Sequence, residues 1–199
     1  MALIPNTPGL LRMVAAQDYV AARCCLLNGL LSGFVLGAQA TEKLLKAYVL
    51  ALEPATDLKK LYHGNAAIAR ECNRLDASFD AQRFAALFDK QEQQFKNRYP
   101  DNWKGSHSED TSELADLDDF VMYIEDRVSL PDAEKYRSGV FALMFESELR
   151  GLPPHSFPAE PWLWNRNAAL AARADSWRER AKEIYEAKRR QAASGPGDA

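Results

Sequence analysis

Apolar residues recur along most of this chain at spacings of three and four positions, which is the period of an amphipathic α-helix. The clearest run starts at Phe34 and ends at Leu52. A second run extends from Leu114 to Val128. We find no convincing segment with the strict alternation that is typical of a strand. The pattern therefore predicts an all-α protein, folded as an up-and-down helical bundle.

Turn and capping signals divide this pattern into helices. Thr7 is a typical N-cap ahead of a proline, and Gly151 is typical of the residue that follows a helix. Ser78 and either Thr111 or Ser112 are predicted to cap the fourth and fifth helices. The predicted helices span residues 8–27, 31–52, 65–75, 79–97, 112–128, 131–150 and 162–191. Trp162, Trp164 and Trp177 are expected to pin the last helix to the bundle.

The helices suggest a bundle with an addition at its C-terminal end. Residues 1–150 are predicted to form the bundle. Residues 151–191 are predicted to form a proline-rich turn and one additional helix packed on that bundle, because four prolines lie between Leu152 and Pro161. We expect residues 192–199 to be a disordered tail.

One uncharged stretch, residues 24–40, needs comparison with a membrane span. It contains Gly29, Gly33 and Gly37 but also Asn28 and Gln39, and it is at the short limit for crossing a bilayer. Small residues at this spacing let two helices approach closely. We therefore expect two buried helix ends around a glycine-rich turn, and no membrane span.

Composition narrows the function classes only slightly. The net charge of −3 gives no general attraction to nucleic acid or to an anionic membrane. Nine acidic residues and one basic residue lie between positions 101 and 126. Six of these carboxylates are predicted to be solvated at a helix start, namely Glu109, Asp110, Glu113, Asp116, Asp118 and Asp119. The three cysteines have neither the number nor the spacing of a disulfide framework or a zinc site. We expect reduced thiols in a cytoplasmic protein, with no metal and no cofactor.

Several segments, taken in order, resemble the HEPN family of helical domains. The segment from Gly33 to Ala47 resembles the signature of that family's second helix, Ala-Gln-x-x-Glu-Lys-x-x-Lys-Ala. Asp18-Tyr19 with Ala21-Ala22-Arg23 resembles the first-helix pattern, and His63 and the Arg98-Tyr99-Pro100 segment stand where the family has similar residues. The resemblance covers about residues 10 to 130.

The resemblance implies a compact helical bundle that forms a homodimer. It also implies a small nucleotidyltransferase or an antitoxin as a possible partner, and RNA or a nucleotide as a possible ligand. Some members are RNA-cutting toxins with an Arg-x(4–6)-His motif, and others lack that motif.

The match to that motif in this chain is Arg150 followed by His155. An arginine can neutralise the charge on a scissile phosphate while a histidine moves the proton of the attacking hydroxyl. Two prolines interrupt the spacer, however, and the match lies beyond the region of resemblance. The alternative is a helix C-terminus followed by a proline-rich turn.

Five other residues are candidates for binding a nucleotide or a phosphate. Lys43 and Lys46 lie on the polar face of the second helix, where the alternative is a solvated face with ion pairs. His63 could equally cap the following helix. Arg98 and Tyr99 could clamp a phosphate and stack on a base, or could merely end the fourth helix.

Three functions therefore stay open at this stage. The first is a HEPN-like accessory protein that binds a nucleotide or RNA without a strong catalytic motif. The second is a metal-independent ribonuclease of the toxin type that uses Arg150 and His155. The third is a protein–protein interaction module.

Overall fold

The computed structural model describes residues 7–61, 64–97, 112–135 and 138–193. Within these ranges the chain forms helices and no strand, which confirms the all-α prediction. The helices are α1 (Pro8–Leu27), α2 (Ser32–Leu52), α3 (Asn65–Leu75), α4 (Ala85–Asn97), α5 (Ser112–Arg127), α6 (Asp132–Lys135), α7 (Val140–Met144), α8 (Glu146–Leu149), α9 (Glu160–Trp164) and α10 (Ala168–Ala193).

Helices α1 and α2 pack along each other as a hairpin, as the glycine spacing predicts, but the expected burial of their ends is wrong, because residues 28–32 are exposed. The Thr7 hydroxyl accepts a hydrogen bond from the backbone N–H of Leu10 and caps α1. Gly29 adopts a φ of 71° in the connecting turn. A Cβ atom at Gly33 would lie 2.9 Å from the carbonyl oxygen of Ala22, so glycine is required for this close approach. No helix within the described ranges is long and apolar enough to cross a bilayer.

The core of the bundle is an aromatic cluster between α2, α4 and α5. Phe84 contacts Phe120 edge-on, with ring centroids 5.2 Å apart, and Phe88 contacts the same ring at 5.4 Å. Edge-to-face pairs at these separations are favourable beyond the apolar area that they bury. Phe79 and Tyr123 extend the cluster toward Tyr48 of α2.

The prediction of a helix from residue 79 is wrong, because α4 begins six residues later, at Ala85. Phe79 lies buried in the connection between α3 and α4, and a 3-10 turn at Gln82–Phe84 precedes α4. Ser78 does not cap a helix, because its backbone N–H and its hydroxyl donate to the carboxylate of Asp76. The core contact of Phe79 determines the path of the chain here.

The prediction of a continuous sixth helix over residues 131–150 is also wrong, because this segment is broken into α6, α7 and α8. Gly139 has a φ of 81° and a ψ of −167°, a conformation that only glycine adopts readily. It lies against a buried ion pair between Arg12 of α1 and Glu125 of α5, and Arg12 also donates to the Ser138 hydroxyl at 3.0 Å. The chain therefore leaves the helical path to enclose this pair.

The last predicted helix is divided as well. Helix α9 ends at Trp164, and α10 begins at Ala168 after Arg166 adopts a φ of 56°. Leu163 and Leu170 are nevertheless fully buried in the same core as the earlier helices. The first two residues of the predicted disordered tail, 192 and 193, belong to α10 instead, and the rest of that tail lies outside the described residues.

Candidate ligand-binding cavity

The two residues of the predicted catalytic pair have different surroundings. The guanidinium of Arg150 donates to Glu146 at 2.5 Å and covers the ring of Phe157 at 4.8 Å. This side chain is largely exposed. His155 lies in the following loop with a left-handed φ of 61° and lines a cavity that Arg150 does not line. The geometry thus gives His155 a place in a concave site and gives Arg150 a surface ion pair.

The two lysines of the predicted phosphate stripe are both in ion pairs. Lys43 of α2 pairs with Asp18 of α1, and Lys46 donates to Glu42 at 2.5 Å. These pairs are half-buried, with between 13 and 28% of each side chain exposed. A phosphate at this face would have to compete with the two carboxylates. The other three candidates, His63, Arg98 and Tyr99, lie outside the described residues.

The cavity that includes His155 has a volume of about 370 Å³ and lies between α7, α8, α9 and α10. This volume is within the range of small-molecule sites. Its apolar lining comes from Met144, Phe145, Leu152, Pro154 and Trp164. Its polar lining comes from Ser147, Glu148, His155, Glu160 and Arg178. Apolar and aromatic walls with a few polar groups are the usual composition of a ligand pocket.

A buried carboxylate holds the loop beside the cavity in place. Glu160, only 2% exposed, accepts hydrogen bonds from the backbone N–H and from the hydroxyl of Ser147, both at 2.6 Å. The Ser147 hydroxyl oxygen in turn accepts a hydrogen bond from the backbone N–H of Ser156 at 2.9 Å. The first residue of α9 is therefore tied to α8 and to the loop that carries His155.

Helices α8 and α10 contribute charged residues to the cavity lining. Arg178 donates through Nε to Glu148 at 3.0 Å and through Nη1 to Asp175 at 2.7 Å. Its guanidinium also lies 4.9 Å from the ring centroid of Phe145. Phe145 contacts Trp164 edge-on, with centroids 5.9 Å apart, and the Trp164 indole N–H donates to the carbonyl of Met144.

A second network, made of a buried ion pair and hydrogen bonds, attaches α9 to α1 and α5. Arg23 pairs with Asp118 and donates to the backbone carbonyls of Trp162, at 2.7 Å, and Asn165. The hydroxyl of Tyr19 donates to Asp118 at 2.6 Å. Because α9 supplies Glu160 and Trp164 to the cavity, this network holds that wall against α1 and α5.

The same network corrects the prediction that Asp118 is solvated. Asp118 is only 2% exposed. Burial raises the pKa of the Asp118 carboxyl, although the neighbouring Arg23 guanidinium and the hydrogen bond from Tyr19 oppose that shift. Burial, with the charge of Asp118, also raises the pKa of Tyr19. Arg23 and Asp118 are separated by 95 positions, so no local pattern could have paired them.

The sequence analysis did not single out Glu160, Glu148 or Arg178. Glu160 stands between prolines and Arg178 stands on a helix rich in charge, so neither has a local signal that separates it from solvated residues. Two of the tryptophans do pack as predicted. Trp164 contacts Phe145, and Trp177 contacts Phe141 and donates to Asp126.

Comparison with known proteins assigns no family to this arrangement. No family model matches the chain, and neither the curated proteins nor the solved structures contain a match. The candidate site therefore rests on its own geometry, and the resemblance to HEPN domains stays a prediction.

Proposed function

We propose that this chain is a helical accessory protein that binds a small ligand in the cavity between α7 and α10 and has no catalytic pair of its own. The observation that carries this proposal is the cavity itself. It combines a volume of about 370 Å³, two aromatic side chains in contact and several charged side chains, of which Glu160 is held by buried hydrogen bonds.

The strain at the mouth of the cavity supports the same proposal. His155 is not a glycine, yet it adopts a left-handed φ, and such residues cluster at ligand sites because the surrounding structure must hold them. Here the hydrogen bond from Ser156 to Ser147 anchors the adjoining residue. The backbone that carries His155 is therefore fixed beside the cavity.

The HEPN-like part of the proposal comes from the sequence resemblance. It adds a homodimer, a nucleotidyltransferase or antitoxin partner, and RNA or a nucleotide as a ligand that binds outside the cavity. The ion pairs of Lys43 and Lys46 make the face of α2 a weaker phosphate site than its sequence suggests. The cavity is the better-formed place for a ligand.

Nuclear magnetic resonance tests the cavity directly. The indole N–H of Trp164 lies in the cavity wall, whereas Trp177 bonds to Asp126 and does not line the cavity. A panel of small amines, carboxylates and nucleotides should contain compounds that shift the Trp164 indole resonance and leave that of Trp177 in place.

A blocking variant completes this test. Leu152 lies at the cavity and is 44% exposed, so Leu152→Trp should fill the mouth and abolish the shift. Leu30→Trp is the control, because Leu30 is also exposed, at 54%, and lies away from the cavity in the α1–α2 turn. The proposal fails if no compound shifts Trp164, or if Leu152→Trp leaves the response unchanged.

The ribonuclease alternative has its own assay. Cellular RNA is incubated with the purified protein and with His155→Ala at matched concentrations. We expect no cleavage that depends on His155, because Arg150 is bound to Glu146 rather than directed into the cavity. Cleavage by the parent protein that disappears in the variant would restore the nuclease hypothesis.

A further inference from the structure

The charged side chains that line the cavity do not balance each other, and the excess charge indicates which kind of ligand the cavity binds. The inference rests on the proposed function, since it specifies what the same cavity binds. Two carboxylates, Glu148 and Glu160, line the cavity beside one guanidinium, that of Arg178. Apart from His155, the lining carries one negative charge in excess, and Lys182, which does not line the cavity, lies 3.9 Å from Glu148.

That excess charge belongs to Glu160. The carboxylate accepts two hydrogen bonds from Ser147, both from uncharged groups. Across the part of the chain that the structure describes, it forms an ion pair with no basic side chain. A buried carboxylate is costly unless a cation accompanies it. Each oxygen accepts one hydrogen bond from the protein and retains a further lone pair for another donor.

The guanidinium of Arg178 is not available to correct this imbalance. It donates to Glu148 and to Asp175, so two carboxylates already surround it. An anionic ligand would have to displace one of them to gain the charge of Arg178. It would also approach the uncompensated charge of Glu160, which disfavours an anion in this cavity.

The apolar walls suit an organic cation. The faces of aromatic rings attract positive charge, and the Arg178 guanidinium already occupies such a position over Phe145. Trp164, the most favourable type of ring for this interaction, stands next to Phe145 in the same wall. Met144, Leu152 and Pro154 offer an apolar surface for the remainder of a ligand.

We infer that the cavity binds a monocationic amine with an apolar body, and that Glu160 supplies its counter-charge. The ammonium group would satisfy the free acceptor capacity of the buried carboxylate. The apolar body would displace water from the aromatic and aliphatic walls.

Three compounds of nearly equal size test the charge preference. They are 2-phenylethylamine, which is protonated at pH 7, 2-phenylethanol, which is neutral, and phenylacetate, which is an anion. Affinities are measured by titration calorimetry and by the Trp164 indole resonance. We expect the amine to bind about tenfold or more tightly than the alcohol, and the anion to bind most weakly, because only the amine pairs with Glu160.

The Glu160→Gln variant removes the charge and keeps two hydrogen bonds to Ser147. Its amide oxygen can accept from the Ser147 backbone, and its amide nitrogen can donate to the second lone pair of the Ser147 hydroxyl oxygen, whose first lone pair accepts from Ser156. The hydroxyl proton of Ser147 then loses its acceptor, so we expect a lower melting temperature in a protein that still folds, while the affinity for the amine falls to that for the alcohol. Glu146→Gln removes the same charge from α8 outside the cavity and should leave the preference unchanged.

These measurements distinguish a failure of the proposed function from a failure of the cation assignment. If none of the three compounds binds or shifts Trp164, the cavity is not a ligand site for molecules of this size, and the proposed function fails together with the inference. If the alcohol or the anion binds as tightly as the amine, or if Glu160→Gln retains the preference, the site stands and its assignment to a cation is wrong.

Discussion

Replacing Arg23 with methionine removes the cation of a fully buried ion pair while nearly conserving the volume of the side chain. The guanidinium is 0% exposed and pairs with Asp118, whose side chain is 3% exposed. It also donates to two backbone carbonyls, those of Trp162 and Asn165. We therefore expect the variant to lose stability and to loosen the attachment of α9.

The size of the loss in stability follows from the unpaired carboxylate that stays buried after the substitution. The Asp118 carboxylate would remain buried with only the Tyr19 hydroxyl as a donor, and breaking a buried pair by removing one partner costs about 3–5 kcal/mol. A domain of this size has a total stability of about 5–15 kcal/mol, so this single change removes a large share of it. Breaking an exposed ion pair costs much less than breaking a buried one, about 1 kcal/mol or less.

Urea denaturation of a double-mutant cycle measures this effect. The cycle comprises Arg23→Met, Asp118→Leu and the double variant, and Arg173→Met serves as the exposed control because Arg173 pairs with Asp126 near the surface. Removing both buried charges removes the penalty of the unpaired one. The double variant should therefore be more stable than the sum of the single losses predicts, by about 2–3 kcal/mol.

The reasoning would be refuted by additive losses in the cycle, or by a loss in Arg23→Met as small as that in Arg173→Met. If a single variant does not fold, recovery of folding in the double variant still demonstrates the coupling. Amide hydrogen exchange in α9 provides a second measurement, since Arg23→Met should accelerate exchange there more than in α3.

Two further predictions concern the packing of the core. Gly139→Ala should cost about 3 kcal/mol or more, because its φ is 81° and a Cβ atom would lie 2.6 Å from Glu125. Gly151→Ala, with a φ of 67° and no atom within 4 Å of its Cβ, should cost only about 1 kcal/mol, and equal losses in urea denaturation would contradict the role of the close contact. Burial raises the pKa of the Cys72 thiol to about 12, so the reactive thiolate is scarce until the pH approaches that value. Iodoacetamide at pH 8 should label Cys72 only as fast as the protein unfolds, and mass spectrometry that finds it labelled as quickly as Cys24 would contradict this.

The sequence by itself determined the class of the fold and the ends of its first three helices. Thr7 and Pro8 begin α1, and the glycines from residue 29 onward separate it from α2. These signals work because caps, prolines and glycines act on the backbone within one or two turns. The helical period likewise identifies the buried face of α2 without knowledge of its partners.

Only the tertiary structure decided where the later helices break. The segment from residue 131 to 150 has a helical pattern, but Gly139 leaves that path to cover the Arg12–Glu125 pair. Asp118 has the local appearance of a solvated helix-start residue and is instead buried against Arg23. Each outcome depends on a charge from another helix, and the cost of burying an unpaired charge outweighs local propensity.

The candidate site has the same dependence on distant residues. Local sequence identified His155, but it could not identify Glu160, Trp164 and Arg178 as parts of one cavity, because only the folded chain brings two helices, α9 and α10, to the loop of His155. The sequence therefore determined which segments are helical. The pairing of buried charges across the bundle decided how those helices end, and left beside the last of them a cavity with an uncompensated carboxylate.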